Sequence, residues 1–258
     1  MSRGISQFED FWRQMKFAPG EPYVHPDDKI ALTARDVQIM GLNLPPIPVN
    51  GNLRSSDVVI LMLNPGYSDL DALRGNAFSK EIQLASEWAN LHQRDWPNEY
   101  PMFDLNPDLV DSGGAEYWAG PLGRMKGKLG HLAHSLAAPE EHSHSHIRKE
   151  LANRIAVVQL VAYRSTAFAD LQTNQKKSGP PQLRLKSSEE ARKLARALVE
   201  EGEKLVVIPY GIQHWGYAKP VQTERLVVYK RGLREAHIAP TSAGYHAVLE
   251  RLRISRPL

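Results

Sequence analysis

The longest largely apolar runs in the chain, Val58–Leu63 and Ile155–Ala162, have strand length, and Leu205–Ile208 reads as a third strand. A half-exposed strand would alternate apolar and polar residues. These runs are apolar on both faces, as strands are when a sheet is covered on both sides. None is long enough to cross a membrane as a helix. Between them lie apolar residues at helical spacing. Ile82, Ala85, Trp88 and Ala89 form one stripe, Leu122, Met125, Leu129 and Leu132 a second, and Ala191, Leu194, Ala195 and Leu198 a third. Leu226–Tyr229 and Glu235–Ala239 are further strand candidates. Strands alternating with helices predict an α/β fold: a three-layer sandwich with a mostly parallel central sheet of about four strands flanked by helices. The 258 residues read as a single domain, with an N-terminal helical extension over about 1–50 and an irregular insertion or lid over about 91–120.

Punctuation along the chain refines this reading. Ser6 and Glu9 have capping-box spacing, ahead of Phe8, Trp12 and Met15, and Pro19-Gly20 with Glu21-Pro22 ends that helix. Residues 41–53, with Pro45, Pro46, Pro48, Gly51 and Asn52, read as a loop. Pro121 stands near the start of the helix carrying Leu122–Leu132. Pro139–His146 reads as a polar surface loop, and Thr173–Ser188 as a basic loop. Ser187 and Glu190 predict a second capping box on a helix ending near Gly202, and a last helix covers Tyr245–Leu252.

Composition removes several classes of function. With no cysteine, the chain has no disulfide scaffold, thiol nucleophile, thiolate zinc site or Cys-ligated iron–sulfur cluster. The net charge of +3 is small, but its placement is uneven. Lys219–Leu258 holds eight basic residues against three acidic ones, whereas Asp69–Asp111 is acidic. One basic face suits a polyanion, and an ordinary solvated surface explains it equally well. Met1–Lys16 is amphipathic and carries Glu9 and Asp10, unlike a signal peptide, so an intracellular location, cytoplasmic or nucleoid-associated, is expected. His131, His134, His142, His144 and His146 invite a metal reading, but the polar context with Glu140 and Glu141 favours a surface loop.

In a parallel α/β sheet, ligands meet the loops at the C-terminal ends of the strands. Four loops qualify: Asn64–Asp69, Tyr163–Thr166, Tyr210–Trp215 and Pro240–Tyr245. In the first, a strand runs into Asn64-Pro65-Gly66, a rigid turn with no side chain at its third position. In the last, Pro240-Thr241-Ser242-Ala243 follows a strand candidate and precedes a helix, where hydroxyls and a helix N-terminus suit a phosphate. A plain strand-ending turn and an ordinary N-cap are the simpler readings of each motif alone.

One motif at the end of the first strand and one after the last strand, in this order, resembles the uracil-DNA glycosylase superfamily over roughly residues 55–252. The Asn-Pro-Gly form is similar to the mismatch-specific and thymine-DNA branch, or to the single-strand-selective branch. Other members have Asp-Pro-Tyr there. The resemblance implies that Asn64 orients the attacking water. It places Pro65, Gly66 and Tyr67 around the base, Phe78 stacked on it, and Gln159 reading its edge. Ser68, Arg164, Ser165, Thr241, Ser242 and Tyr245 would contact DNA, with Tyr245 as an aromatic wedge in the gap left by the flipped nucleotide. Lys176 and Lys177 are weaker phosphate candidates.

The sequence departs from the family in three ways. Ala239 stands where many members have His, and His237 lies two residues earlier. Gln159 replaces a base-reading Asn and is one methylene longer. Gly66 replaces the Tyr that walls off the pyrimidine 5-position in uracil-specific members. No lysine stands in either motif, so the expected product is an intact abasic site formed without a Schiff base, with no metal or organic cofactor required. The implied substrate is DNA carrying a modified pyrimidine; phage-defence members removing glucosylated hydroxymethylcytosine fit the open pocket. Mismatched uracil or thymine is an alternative. A non-catalytic DNA-binding module and an α/β enzyme acting on free nucleosides are two readings from other classes.

Overall fold

The structure is a computed structural model that describes residues 2–16, 21–32, 34–66, 77–109, 112–120, 124–136, 145–165, 168, 185–230 and 238–254. Its centre is one mixed sheet of six strands in the order β1-β3-β2-β4-β6-β5. The strands are β1 Val49–Asn50, β2 Val58–Met62, β3 Ile155–Gln159, β4 Leu205–Ile208, β5 Val221–Gln222 and β6 Leu226–Val228. The inner four, β3, β2, β4 and β6, run parallel, and the two edge strands are antiparallel. The parallel four are the strands expected from Val58–Leu63, Ile155–Ala162, Leu205–Ile208 and Leu226–Tyr229. Both edge strands are additions. β1 lies inside the stretch read as a loop, and at two residues each they are too short to display a period. Of the strand candidate Glu235–Ala239, residues 235–237 lie outside the described residues, and Ile238 and Ala239 form no strand.

Helices cover both faces: α1 Arg3–Arg13, α2 Pro26–Lys29, α3 Ala34–Ile39, α4 Ala77–His92, α5 Gly113–Ala119, α6 Gly130–Leu136, α7 Ser145–Arg154, α8 Lys186–Glu201 and α9 Ala243–Ile254. Because side chains alternate along a strand, Val59 and Leu61 of β2 join Val158 and Val206 on one face. They pack against Ile5, Phe8 and Trp12 of α1 and Leu194 and Leu198 of α8. Val58, Ile60 and Met62 join Val157 and Val207 on the other, against Leu132 of α6, Leu151 of α7 and Val248 of α9. Each such side chain withdrawn from water contributes about 1.5–3 kcal/mol. The N-terminal fifty residues thus supply part of the core and an edge strand. Within residues 91–120, Met102, Leu105, Trp118 and Ala119 are buried in the second core, while Arg94, Asp95, Asp108 and Glu116 are exposed.

The helix starts differ from expectation because caps are chosen in three dimensions. α1 begins at Arg3, where Ser2 Oγ accepts the Ile5 N–H at 3.1 Å, and Ser6 and Glu9 lie inside the helix. Glu9 instead takes both Arg13 and Arg54. α8 begins at Lys186 with no side-chain bond from its own cap residue. Asp28, fully buried, takes the Ser187 N–H at 3.0 Å. A carboxylate at a helix N-terminus is favoured over a local hydroxyl by charge. The helix around Leu122–Leu132 is shorter than expected, starting at Gly130 with Met125 at φ 52° outside it. The expected stop at Gly202 is present as a left-handed cap. α7 includes Ser145 and His146, at the end of the stretch read as a loop. Among the described residues, no helix is long and apolar enough to cross a membrane.

Candidate active site

The turn after β2 and the turn after β3 meet at the C-terminal edge of the parallel sheet. Gly66 and Ser165 form a parallel bridge, and Ser165 also bridges Met40. Asn64 is half-buried between them. Its Nδ2 donates to the Pro65 carbonyl at 3.0 Å and to Ser165 Oγ at 2.9 Å. A carbonyl can only accept, so the NH₂ end of the amide must face Pro65 and the orientation is fixed. Both amide hydrogens are engaged. Oδ1 accepts no hydrogen bond from the described residues, and it can therefore accept one from a water or a ligand.

Three consecutive residues hold the β3 turn in place. Tyr163, buried, donates from its hydroxyl to Asp28 Oδ2 at 2.6 Å and accepts the His25 N–H at 3.1 Å. Burial, then the Asp28 carboxylate, push its phenol well above the ordinary tyrosine value. Behind it, His25 Nδ1 accepts the Asp27 N–H, so Nε2 carries the hydrogen donated to the Phe11 carbonyl at 3.0 Å. Arg164 donates to the Pro45 carbonyl at 2.7 Å and pairs with Glu87. Their side chains are 5% and 3% exposed. This corrects the expectation that Arg164 meets DNA: its guanidinium is committed to the interior. Ser165 then faces Asn64.

Replacing Tyr163 by Phe is expected to cost about 1–3 kcal/mol, because the buried Asp28 carboxylate loses its hydroxyl donor. The raised phenol adds a pH signature. Its contribution is complete below the unfolded-state value near 10 and is lost as pH rises through the folded value. Urea unfolding against pH should therefore show a steeper alkaline loss for the wild type than for Tyr163→Phe. Equal stability of the two proteins at neutral pH would remove Tyr163 from this role.

Gln159 closes β3, with Met62 as its neighbour on β2. Alternation puts it on the face of Ile155 and Val157, the face that also holds Tyr229. It is 7% exposed, and its buried Oε1 has no hydrogen-bond partner among the described residues. An orphaned buried acceptor is costly unless something donates to it. Tyr229 links this face to the second motif. Its hydroxyl donates to Ser242 Oγ at 3.1 Å and accepts the Gly244 N–H at 3.2 Å, at the start of α9. Burial raises its phenol, against the pull of those two hydrogen bonds.

Thr241 is exposed and Ser242 half-buried. Tyr245 is 4% exposed and its hydroxyl is shared with Ser135. This corrects the wedge expected there: the ring belongs to the core that α9 makes with α6, and it is not available for insertion into DNA. At Gly66 the backbone does not have positive φ, and a Cβ would meet nothing within 4 Å among the described residues.

Tyr67, Ser68, Lys176, Lys177, His142, His144 and His237 lie outside the described residues, and of Phe78 only the backbone, in α4, is described. The structure thus brings together Asn64, Pro65, Gly66 and Ser165. It places Gln159 on the Tyr229 face and withdraws Arg164 and Tyr245. Glu87, Asp28 and Tyr229 were not singled out from the sequence. Two of them are charged residues whose burial leaves no local mark, and Tyr229 showed only as the end of a strand. His131, His134 and His146 are exposed, and among the described residues no group of three or more His, Asp or Glu is gathered for a metal. Comparison with family models, curated proteins and solved structures gave no match.

Proposed function

We propose that the protein is a monofunctional DNA glycosylase that flips a pyrimidine nucleotide out of the helix and hydrolyses its N-glycosidic bond. The observation that carries this reading is the clamped amide of Asn64, with both hydrogens engaged and Oδ1 left to accept from a water. An amide is a weak base. It suffices where the sugar carbon already has oxocarbenium character, because the water then needs orientation more than deprotonation. The bond between the base and C1′ breaks with its electrons going to the base. Water oxygen bonds to C1′, and the water proton is released as the abasic sugar forms. Backbone N–H groups of the turn oppose the charge on the departing base. Gln159 offers its unpaired amide oxygen to a donor on the base edge.

The base is a pyrimidine carrying a group on its 5-carbon. Supporting this is that, among the described residues, nothing lies within 4 Å of where a Cβ at Gly66 would stand. Base release from a panel of duplex and single-stranded oligonucleotides bearing uracil, mismatched thymine or 5-modified cytosines, read as alkali-dependent strand breakage, is the direct test. Release of a 5-modified base is the expected result. No strand breakage with any member would end the glycosylase reading, and release confined to uracil would end the 5-substituent assignment. Because φ is not positive at Gly66, Gly66→Ala should keep activity within about twofold, whereas Gly66→Tyr should cut excision of the bulky base far more than excision of a small one. Equal loss in both variants would refute the wall.

A further inference from the structure

We infer that a basic cavity beside the second motif, lined by Lys126, Lys128 and His131, holds a phosphodiester of the DNA backbone; this rests on DNA being the substrate. The cavity encloses about 350 Å³ between the end of α5, the segment leading into α6, and Ile238-Ala239. Its charged lining is two lysines against one carboxylate, Glu116, and His131 lines it as well.

The lysines stand on a rigid strap. The Lys126 N–H donates to the Ala119 carbonyl at 2.9 Å, the Lys128 N–H to Tyr117 at 2.9 Å and the Leu129 N–H to Trp118 at 3.1 Å. Gly127 between them lies directly on the neighbouring backbone. A Cβ there would stand 2.5 Å from the Gly120 nitrogen and 2.6 Å from the Tyr117 carbonyl. That close approach fixes where both lysines leave the chain. Lys128 Nζ lies 5.4 Å from the Tyr117 ring centroid, a cation–π contact that helps to hold its side chain at the cavity. Lys126 is exposed, and its side chain makes no ion pair among the described residues.

A polar, cationic, open-sided hollow suits an anion better than an apolar ligand. Ala239 in its wall leads directly into Pro240, Thr241 and Ser242, and Ser242 is tied to Tyr229 on the Gln159 face. A strand whose base enters the site beside Asn64 carries further phosphates on either side of that nucleotide, and the cavity wall runs straight into the second motif.

The test is the salt dependence of binding to a labelled duplex of unmodified DNA, followed by fluorescence anisotropy. Each phosphate deprived of its cationic partner lowers the slope of log K against log salt by about 1. Lys126→Gln/Lys128→Gln should therefore lower it by about 2, and Lys126→Arg/Lys128→Arg should restore it. An unchanged slope in the Gln pair overturns the inference. So does loss of inorganic pyrophosphate binding with DNA binding intact, which makes the cavity a small-anion site, and so does tighter binding of RNA than of DNA of the same sequence. The measurement needs no turnover: absence of base release condemns the glycosylase reading alone, and an unchanged slope with base release intact condemns the cavity alone.

Discussion

Asn64→Ala is expected to lower the single-turnover rate of base release by about 10²- to 10⁴-fold, the range for losing a group that handles the reacting water, while DNA binding stays within about threefold. The split follows from geometry. The side chain is half-buried at the end of β2, and its engaged end is held by Pro65 and Ser165. Removing it takes away a side-chain oxygen that the chain holds in place and that accepts no hydrogen bond from the described residues. It removes no positive charge and no phosphate contact. Ser165→Ala provides the graded comparison. The amide keeps the Pro65 carbonyl and loses one neutral hydrogen bond of about 1 kcal/mol, or about fivefold in rate. Ser165 is thus a positioning residue, and its variant should respond in kcat more than in KM. Turnover by Asn64→Ala close to that of the wild type on the same substrate would remove the assigned role.

The largest effect on stability is expected from Arg164→Met. Its guanidinium and the Glu87 carboxylate are both almost wholly enclosed, and the Pro45 carbonyl depends on the same group. Taking away one partner leaves a carboxylate inside the protein with only the Gln83 amide, at 2.8 Å, as donor. Breaking a buried pair in this way costs about 3–5 kcal/mol. The double change Arg164→Met/Glu87→Leu should recover much of that loss, since an apolar pair of similar volume is often no worse than the ions it replaces. Urea unfolding of the four proteins in a double-mutant cycle reads the result. A single variant within about 1 kcal/mol of the wild type would show that the pair carries no such weight. Base release should fall with the single change as well, because the Ser165 turn is tethered through its neighbour.

The parallel strands were legible because a strand covered on both sides announces itself as an unbroken apolar run, as Val58–Leu63 does. The position of Asn64 followed from where that run stops. The buried face of α4 was not legible. Its apolar stripe was read as Ile82, Ala85, Trp88 and Ala89, but Ala85 is exposed, and Ser86, Glu87 and Asn90 are buried, as is Gln93 just past the helix end. Asn90 accepts the Gly51 N–H at 2.6 Å, and Gln93 accepts the Leu53 N–H at 2.8 Å. These side chains satisfy the backbone of a neighbouring turn, so polarity there marks the inside of the helix, and periodicity assigns it to the outside. Arg164 and Tyr245 were misread for a related reason. An arginine or tyrosine beside a motif looks available for a ligand until a distant residue such as Glu87 or Ser135 is seen to claim it.

The turn formed by Tyr163, Arg164 and Ser165 has a consequence for biosynthesis. Its three side chains reach partners 135, 77 and 101 residues away in the chain. Asp28 must in addition wait for the amide of Ser187, 159 residues downstream. Such remote closures form late, after the entropy of bringing the ends together has been met. On the ribosome, Asn64 emerges with its strand but has no Ser165 to hold it until 101 further residues have been made, and the Asp28 anchor is incomplete until α8 follows. A nascent chain therefore holds every residue of its first motif before the Asn64 amide can be clamped, and that geometry arrives only when the sheet has closed around residues translated far apart in time.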